Sequence, residues 1–197
     1  MGQSGATWRA LARHVEQFDA DAGRAVHAAL RDHGRPPTVQ IVGRAGGGHE
    51  LALAEQAVGC TVEHIDLDVP GRADPVVDAD VVILVSAVRF PPHAIHPVDR
   101  ALLDRVDAGR VVVALAGTES LADPGSAVAA VAEQLRSPVL LSADTDALET
   151  VVGTRLHDAR RRRDDALTRT IAGIAATPPA RDAIEDALDD PGAWSGR

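Results

Sequence analysis

The sequence predicts a doubly wound α/β fold: a mostly parallel five-stranded sheet with helices on its faces. Five short apolar runs rich in β-branched residues recur, at 38–42, 61–66, 80–86, 110–116 and 138–142. They are continuous rather than alternating, as expected of strands covered on both faces. Helical periodicity at 50–58, 97–106 and 126–135 separates them. Strands that alternate with helices build parallel sheets through crossover connections.

Taken in order, residues 6–31 read as one amphipathic helix. Trp8, Leu11, Ala12, Val15, Phe18, Ala22, Val26 and Leu30 recur at three- and four-residue steps. The stretch from His33 to Pro37, His-Gly-Arg-Pro-Pro, stops it. The five strand-like runs follow, and residues 146–175 form another long helical pattern with Arg160 to Asp165 on its exposed side. Arg160 with Asp164 and Arg161 with Asp165 stand four apart and are placed to pair, which makes this run a neutralised solvated face rather than an anion site. Pro178 and Pro179 break the pattern before a short helix at 180–188 and a loose tail. The expected organisation is an N-terminal helix over 1–35, an α/β domain over 36–145, and C-terminal helices and tail over 146–197.

Composition narrows the function. The 197 residues are 45% hydrophobic but only 2% aromatic, so the core must be aliphatic and there is little to stack on bases. A net charge of −9 argues against nucleic acid and anionic membranes as partners, because both select a basic face. The single Cys60 excludes an intrachain disulfide. With neither a signal-like segment nor an apolar run of membrane-spanning length, a cytoplasmic protein without membrane insertion is expected. All 20 basic residues are arginine, and asparagine and tyrosine are also missing, as a high-GC bacterial genome would produce. No lysine is present to grip a β/γ-phosphate or form a Schiff base.

Ligands of open parallel sheets bind beyond the carboxyl ends of the strands, so those positions are read together. After the first strand comes Gly43-Arg44-Ala45-Gly46-Gly47-Gly48-His49-Glu50, which has phosphate-loop spacing up to Gly48. After the second comes Asp68-Val69-Pro70-Gly71, a D-x-x-G sequence. The fourth ends in Ala116-Gly117-Thr118-Glu119 and the fifth in Ser142-Ala143. In this order, over about residues 38–145, the chain resembles the P-loop GTPase family and, with helices before and after the domain, its bacterial dynamin-like branch. The resemblance implies a G1 loop at Gly43 to Glu50, G3 at Asp68 to Gly71, G4 at Ala116 to Glu119 and G5 at Ser142-Ala143.

The departures bear on activity. His49 stands where the family has its phosphate-gripping lysine, and Glu50 where it has the magnesium-binding hydroxyl. A carboxylate at a helix N-terminus is favoured by about 0.3–1 kcal/mol, so Glu50 is placed to occupy the phosphate position. Ala116 and Gly117 replace the guanine-reading asparagine and lysine, leaving the carboxylate of Glu119. Only Gly59 and Cys60 separate the first domain helix from the second strand, which leaves no room for switch I and its edge strand. The resemblance with these losses implies a pseudo-GTPase. Gly43, Gly48, His49, Glu50, Asp68, Gly71 and Glu119 are then vestigial or weak binding positions, with no catalytic residue, no metal, and no GTP or GDP binding. A regulatory or scaffolding role toward a protein partner follows, such as a related active GTPase.

The runner-up is a weak nucleotide- or phosphate-binding protein using Gly43 to His49 with Asp68. A dinucleotide fingerprint fits less well, because Gly43, Gly46, Gly47 and Gly48 do not give G-x-G-x-x-G, although Asp66 or Asp68 stands about 23 residues on. His93, His96 and Asp99 have metal-like spacing, but two prolines interrupt them and an exposed loop is expected. Cys60 and His64 read as core or strand-edge residues. Ser86, Ser120 and Ser142 lack a G-x-S-x-G context, so a hydrolase triad has no support.

Overall fold

The computed structural model of the chain describes residues 2–46, 51, 59–88, 94–135 and 137–190. They fall into two compact units: Pro36–Ala159, and Met1–Arg35 with Arg160–Arg197.

The first unit is an α/β unit with five parallel strands: β1 (Thr38–Arg44), β2 (Thr61–Leu67), β3 (Val81–Ala87), β4 (Val111–Ala116) and β5 (Val139–Leu141). Their order is β2-β1-β3-β4-β5. The central strands read as unbroken apolar runs because each face meets a different layer. Val42, Val82, Leu84, Val113 and Leu115 pack on Leu102 of α3 (Pro97–Leu103) and on Ala127 and Val131 of α4 (Pro124–Leu135). Val39, Ile41, Ile83, Val85, Val112 and Ala114 pack on Leu148, Val152 and Leu156 of α5 (Thr145–Ala172). Burying one such side chain fully contributes about 1.5–3 kcal/mol, and neither face could be left to water. The expected helix at 50–58 lies outside the described residues, apart from Leu51. The α3 helix ends earlier than its apolar pattern, with Arg105 and Val106 closing back on Leu102 O in a turn.

Gln40 is the polar exception within β1, 5% exposed. Its Nε2 donates to Glu63 Oε2 at 3.1 Å and its Oε1 accepts from Asp78 N and Ala79 N, both at 3.1 Å, so its burial leaves no amide group unmatched.

The second unit is helical. The sequence suggests one helix at 6–31, but the structure has two, α1 (Gly2–Phe18) and α2 (Ala20–His33). Asp19 makes the break. Its backbone is extended (φ −154°, ψ 101°) and its Oδ1 accepts from Asp21 N at 3.1 Å and Ala22 N at 3.0 Å as the N-cap of α2. Hydrophobic periodicity continues through this residue, which hides the break from a pattern-based reading. Oδ2 of Asp19 accepts from Thr177 N at 2.9 Å, just before α6 (Pro178–Asp189). Pro178 and Pro179 therefore begin a helix, as proline at a first turn does, rather than only ending one. The core joins Leu11, Val15, Val26, Leu167, Ile171 and Ile184 with small Ala12, Ala22, Ala180, Ala183 and Ala187.

The hydrogen bond from Ala22 N, followed by that from Thr177 N, lowers the pKa of Asp19 below the ordinary aspartate range. Folded Asp19 holds its proton less tightly than unfolded Asp19, so its contribution is present above the ordinary range and lost as pH falls through the lowered value. Asp19→Asn keeps an acceptor for the cap. Urea midpoints measured down an acid series should fall less steeply for this variant than for the native chain. Parallel curves would remove Asp19 from the acid response.

The expected Arg160–Asp164 pairing does not form. Asp164 Oδ1 lies 2.7 Å from His33 Nε2, and Arg163 Nη1 donates to Arg35 O at 2.6 Å. Two helices meeting outcompete an exposed i,i+4 pair, which contributes only about 0.3–0.5 kcal/mol. Among the described residues no helix is long and apolar enough to cross a membrane.

Candidate functional site

In the order β2-β1-β3-β4-β5 the connections diverge between β1 and β3, and the crevice beyond their carboxyl ends is where such sheets bind ligands. Gly43, the first expected loop residue, is buried inside β1, opposite Asp66 on one side and Val85 on the other. Ala45 N extends the ladder by donating to Leu67 O at 3.0 Å, and Gly46 turns the chain with φ +72°. Gly48, His49 and Glu50 lie outside the described residues.

Among the described residues, the chemistry at this crevice is carried by three side chains that the motifs do not pick out. Asp99 is completely buried. Ser86, the penultimate residue of β3, donates its hydroxyl to Asp99 Oδ2 at 2.6 Å. Arg44, at the end of β1, places Nε 3.5 Å from Asp99 Oδ1, with its side chain 23% exposed. Asp99 Oδ1 has no hydrogen-bond partner among the described residues. Burying a carboxylate costs several kcal/mol unless charge and hydrogen bonds offset the loss of water. Here the offsets are one short hydroxyl bond, one guanidinium and the start of α3, whose N-terminal dipole favours an anion.

Asp99 reaches this place because α3 begins sharply. His96 is its N-cap, with Nδ1 accepting from Val98 N at 3.2 Å, Pro97 is the first helical residue, and Asp99 falls in the first turn. The expected exposed loop is therefore corrected for His96 and Asp99, while His93 lies outside the described residues. Pro-x-Asp after a capping residue is a helix-start signal, and it could have located the turn. It could not have located the burial, which depends on β1 and β3 closing over it. No cluster of three metal-ligating side chains occurs among the described residues.

The other expected positions separate. Asp68 and Gly71 lie in an exposed turn after edge strand β2, with φ of 54° and 75°. Aspartate tolerates that left-handed region better than most residues. At the end of β4, Gly117 turns the chain with φ +74°, Thr118 is buried and Glu119 is exposed. Ser142 N donates to Leu115 O at 2.9 Å beyond β5, which extends the ladder, and Ala143 is exposed. Cys60 is half-buried and His64 is exposed on β2. Ser86, itself 5% exposed, spends its hydroxyl proton on Asp99, an arrangement suited to holding two strands and a helix together.

Comparison with protein-family models finds no match, and comparison with curated proteins finds none.

Proposed function

We propose that the chain is a GTPase-like α/β protein without nucleotide chemistry, acting as a regulatory or scaffolding partner of another protein, with a related active GTPase as the first candidate. The observation that supports this reading is the Arg44–Asp99–Ser86 group at the β1/β3 crevice. Arg44 is the one cation of the Gly43-to-Gly46 turn, and its guanidinium lies 3.5 Å from an internal carboxylate. A phosphate drawn to Arg44 would meet the charge of Asp99 at close range, where like charges in a poorly screened site repel strongly. Replacement of the family's lysine by His49 and of its hydroxyl by Glu50 points the same way.

The test is a melting experiment with millimolar GTP, GDP and ATP, each with magnesium, alongside phosphate-release assays. A ligand present at 100 times its Kd would add about 2.7 kcal/mol of stability. No shift and no phosphate release are expected. Saturable binding of any of the three would overturn the proposal and favour a weak phosphate-binding protein. Purification from the native host is expected to recover the partner, identified by mass spectrometry, and a chain that purifies alone as a strict monomer counts against the regulatory role.

A further inference from the structure

The helical unit contains a cleft of about 870 Å³ lined from α1, α2 and the C-terminal half of α5. Its floor is apolar, formed by Trp8, Leu30 and Leu167. Leu167 is buried, while Trp8 and Leu30 are half-buried and face the open space. This volume falls within the range of small-molecule sites, about 300–1,000 Å³, which are mostly apolar with a few convergent polar groups.

The polar lining includes two cations. Arg9 and Arg31 stand on two different helices and line the same cleft. Arg9 commits only its Nε, to Gly5 O at 3.0 Å, and neither arginine has a carboxylate partner among the described residues. The one carboxylate of the lining, Asp164, is already engaged by His33 at 2.7 Å. Next to this cleft a smaller one of about 510 Å³ shares Arg9 and adds Arg13. Charge is also divided unevenly along the chain. The helical unit has 12 arginines against 11 acidic residues, a net +1, and the α/β unit has 8 against 18, a net −10. The helical unit carries no excess negative charge to repel an anion.

We propose that this cleft binds an amphiphilic anion. An aliphatic chain lies on Trp8, Leu30 and Leu167, and a carboxylate or phosphate head pairs with Arg9 and Arg31. Guanidinium groups match either head bidentately. The site is independent of the proposed function, since none of its residues belongs to the α/β unit.

Trp8 supplies the readout. The full-length chain carrying Trp194→Phe has one indole, in the cleft floor. Its emission is followed during titration with monomeric dodecanoate, dodecyl phosphate and dodecylammonium, and separately with phosphatidylglycerol vesicles. Dodecanoate and dodecyl phosphate should give a saturable blue shift, and dodecylammonium none. Decanoate, two methylenes shorter, should bind about tenfold more weakly. Arg31→Glu, at an exposed position in the last turn of α2 where the helix dipole makes a carboxylate cost about 0.3–1 kcal/mol, should stay folded and weaken dodecanoate at least tenfold, and Arg9→Glu should do the same. Response to the monomers assigns a free amphiphile, and response to vesicles alone assigns the same head chemistry to a lipid surface. Equal binding of dodecylammonium, unchanged affinity in both charge-reversal variants, or no saturable response to monomers or vesicles would overturn the proposal.

Discussion

Asp99→Ala is expected to destabilise the α/β unit by about 3–5 kcal/mol, the usual cost of removing one partner from a buried ion pair. The side chain is wholly buried, so its removal also leaves the Ser86 hydroxyl without its acceptor and Arg44 without its counter-charge. Ser86→Ala removes only one donor and should cost about 1–3 kcal/mol. Asp99→Asn keeps an oxygen for Ser86 and should fall between them. Urea unfolding gives the magnitudes. Amide exchange gives the location, with protection lost first in β1, β3 and α3. If Asp99→Ala unfolds within about 0.5 kcal/mol of the native chain, the Arg44–Asp99–Ser86 group does not hold the crevice together, and the support it lends to the proposed function falls with it.

Gly23→Ala should destabilise the helical unit although alanine is the better helix former. A Cβ at Gly23 would stand 2.6 Å from both Cα and Cβ of Glu16 and 3.0 Å from its backbone nitrogen. These atoms belong to the backbone and root of α1 and cannot swing aside as a side-chain tip could. Alanine in place of glycine within a helix is worth about 1 kcal/mol, whereas overpacking of this kind costs about 1–3 kcal/mol and here meets backbone, which places the balance toward loss. Exchange protection should fall in α1 and α2 together, because the contact joins them. A Cβ added at Gly153, on α5, would meet nothing within 4 Å, so Gly153→Ala should be neutral or stabilising and serves as the control. A Gly23→Ala chain as stable as the native one would mean that α1 shifts freely along α2.

The two substitutions bear on different kinds of legibility. The α/β architecture could be read from the sequence because its cause is local and repetitive. A strand such as Val81–Ala87 must be apolar on both faces to lie between two helical layers, and that requirement is written at every position. The expected runs at 38–42, 61–66, 80–86, 110–116 and 138–142 differ from the observed strands by no more than two residues at either end. Positive φ at Gly46, Gly71 and Gly117 turns the chain at these strand ends, where the sequence was read for motifs rather than for turns.

The site was legible only in position. The rule that ligands gather beyond strand ends led to the stretch from Gly43 to Glu50 without singling out Arg44, and the group that Arg44 joins is completed by Ser86 and Asp99, from β3 and α3. A serine at the end of an apolar run and an aspartate after His-Pro-Val are ordinary features of a sequence. Their pairing exists because β3 lies beside β1 and α3 packs on the face that follows. The helical unit illustrates the same limit. Hydrophobic spacing specified a helical pattern over residues 6–31 and 146–175, because a 3.6-residue period is a local property. It did not specify where Asp19 would divide the first, or that α5 would use Leu148, Val152 and Leu156 in one core and Leu167 and Ile171 in another. Composition and period determined which surfaces had to be buried, whereas the choice of which surface buries which was left to contacts between residues far apart in the chain, whose energies no single segment carries.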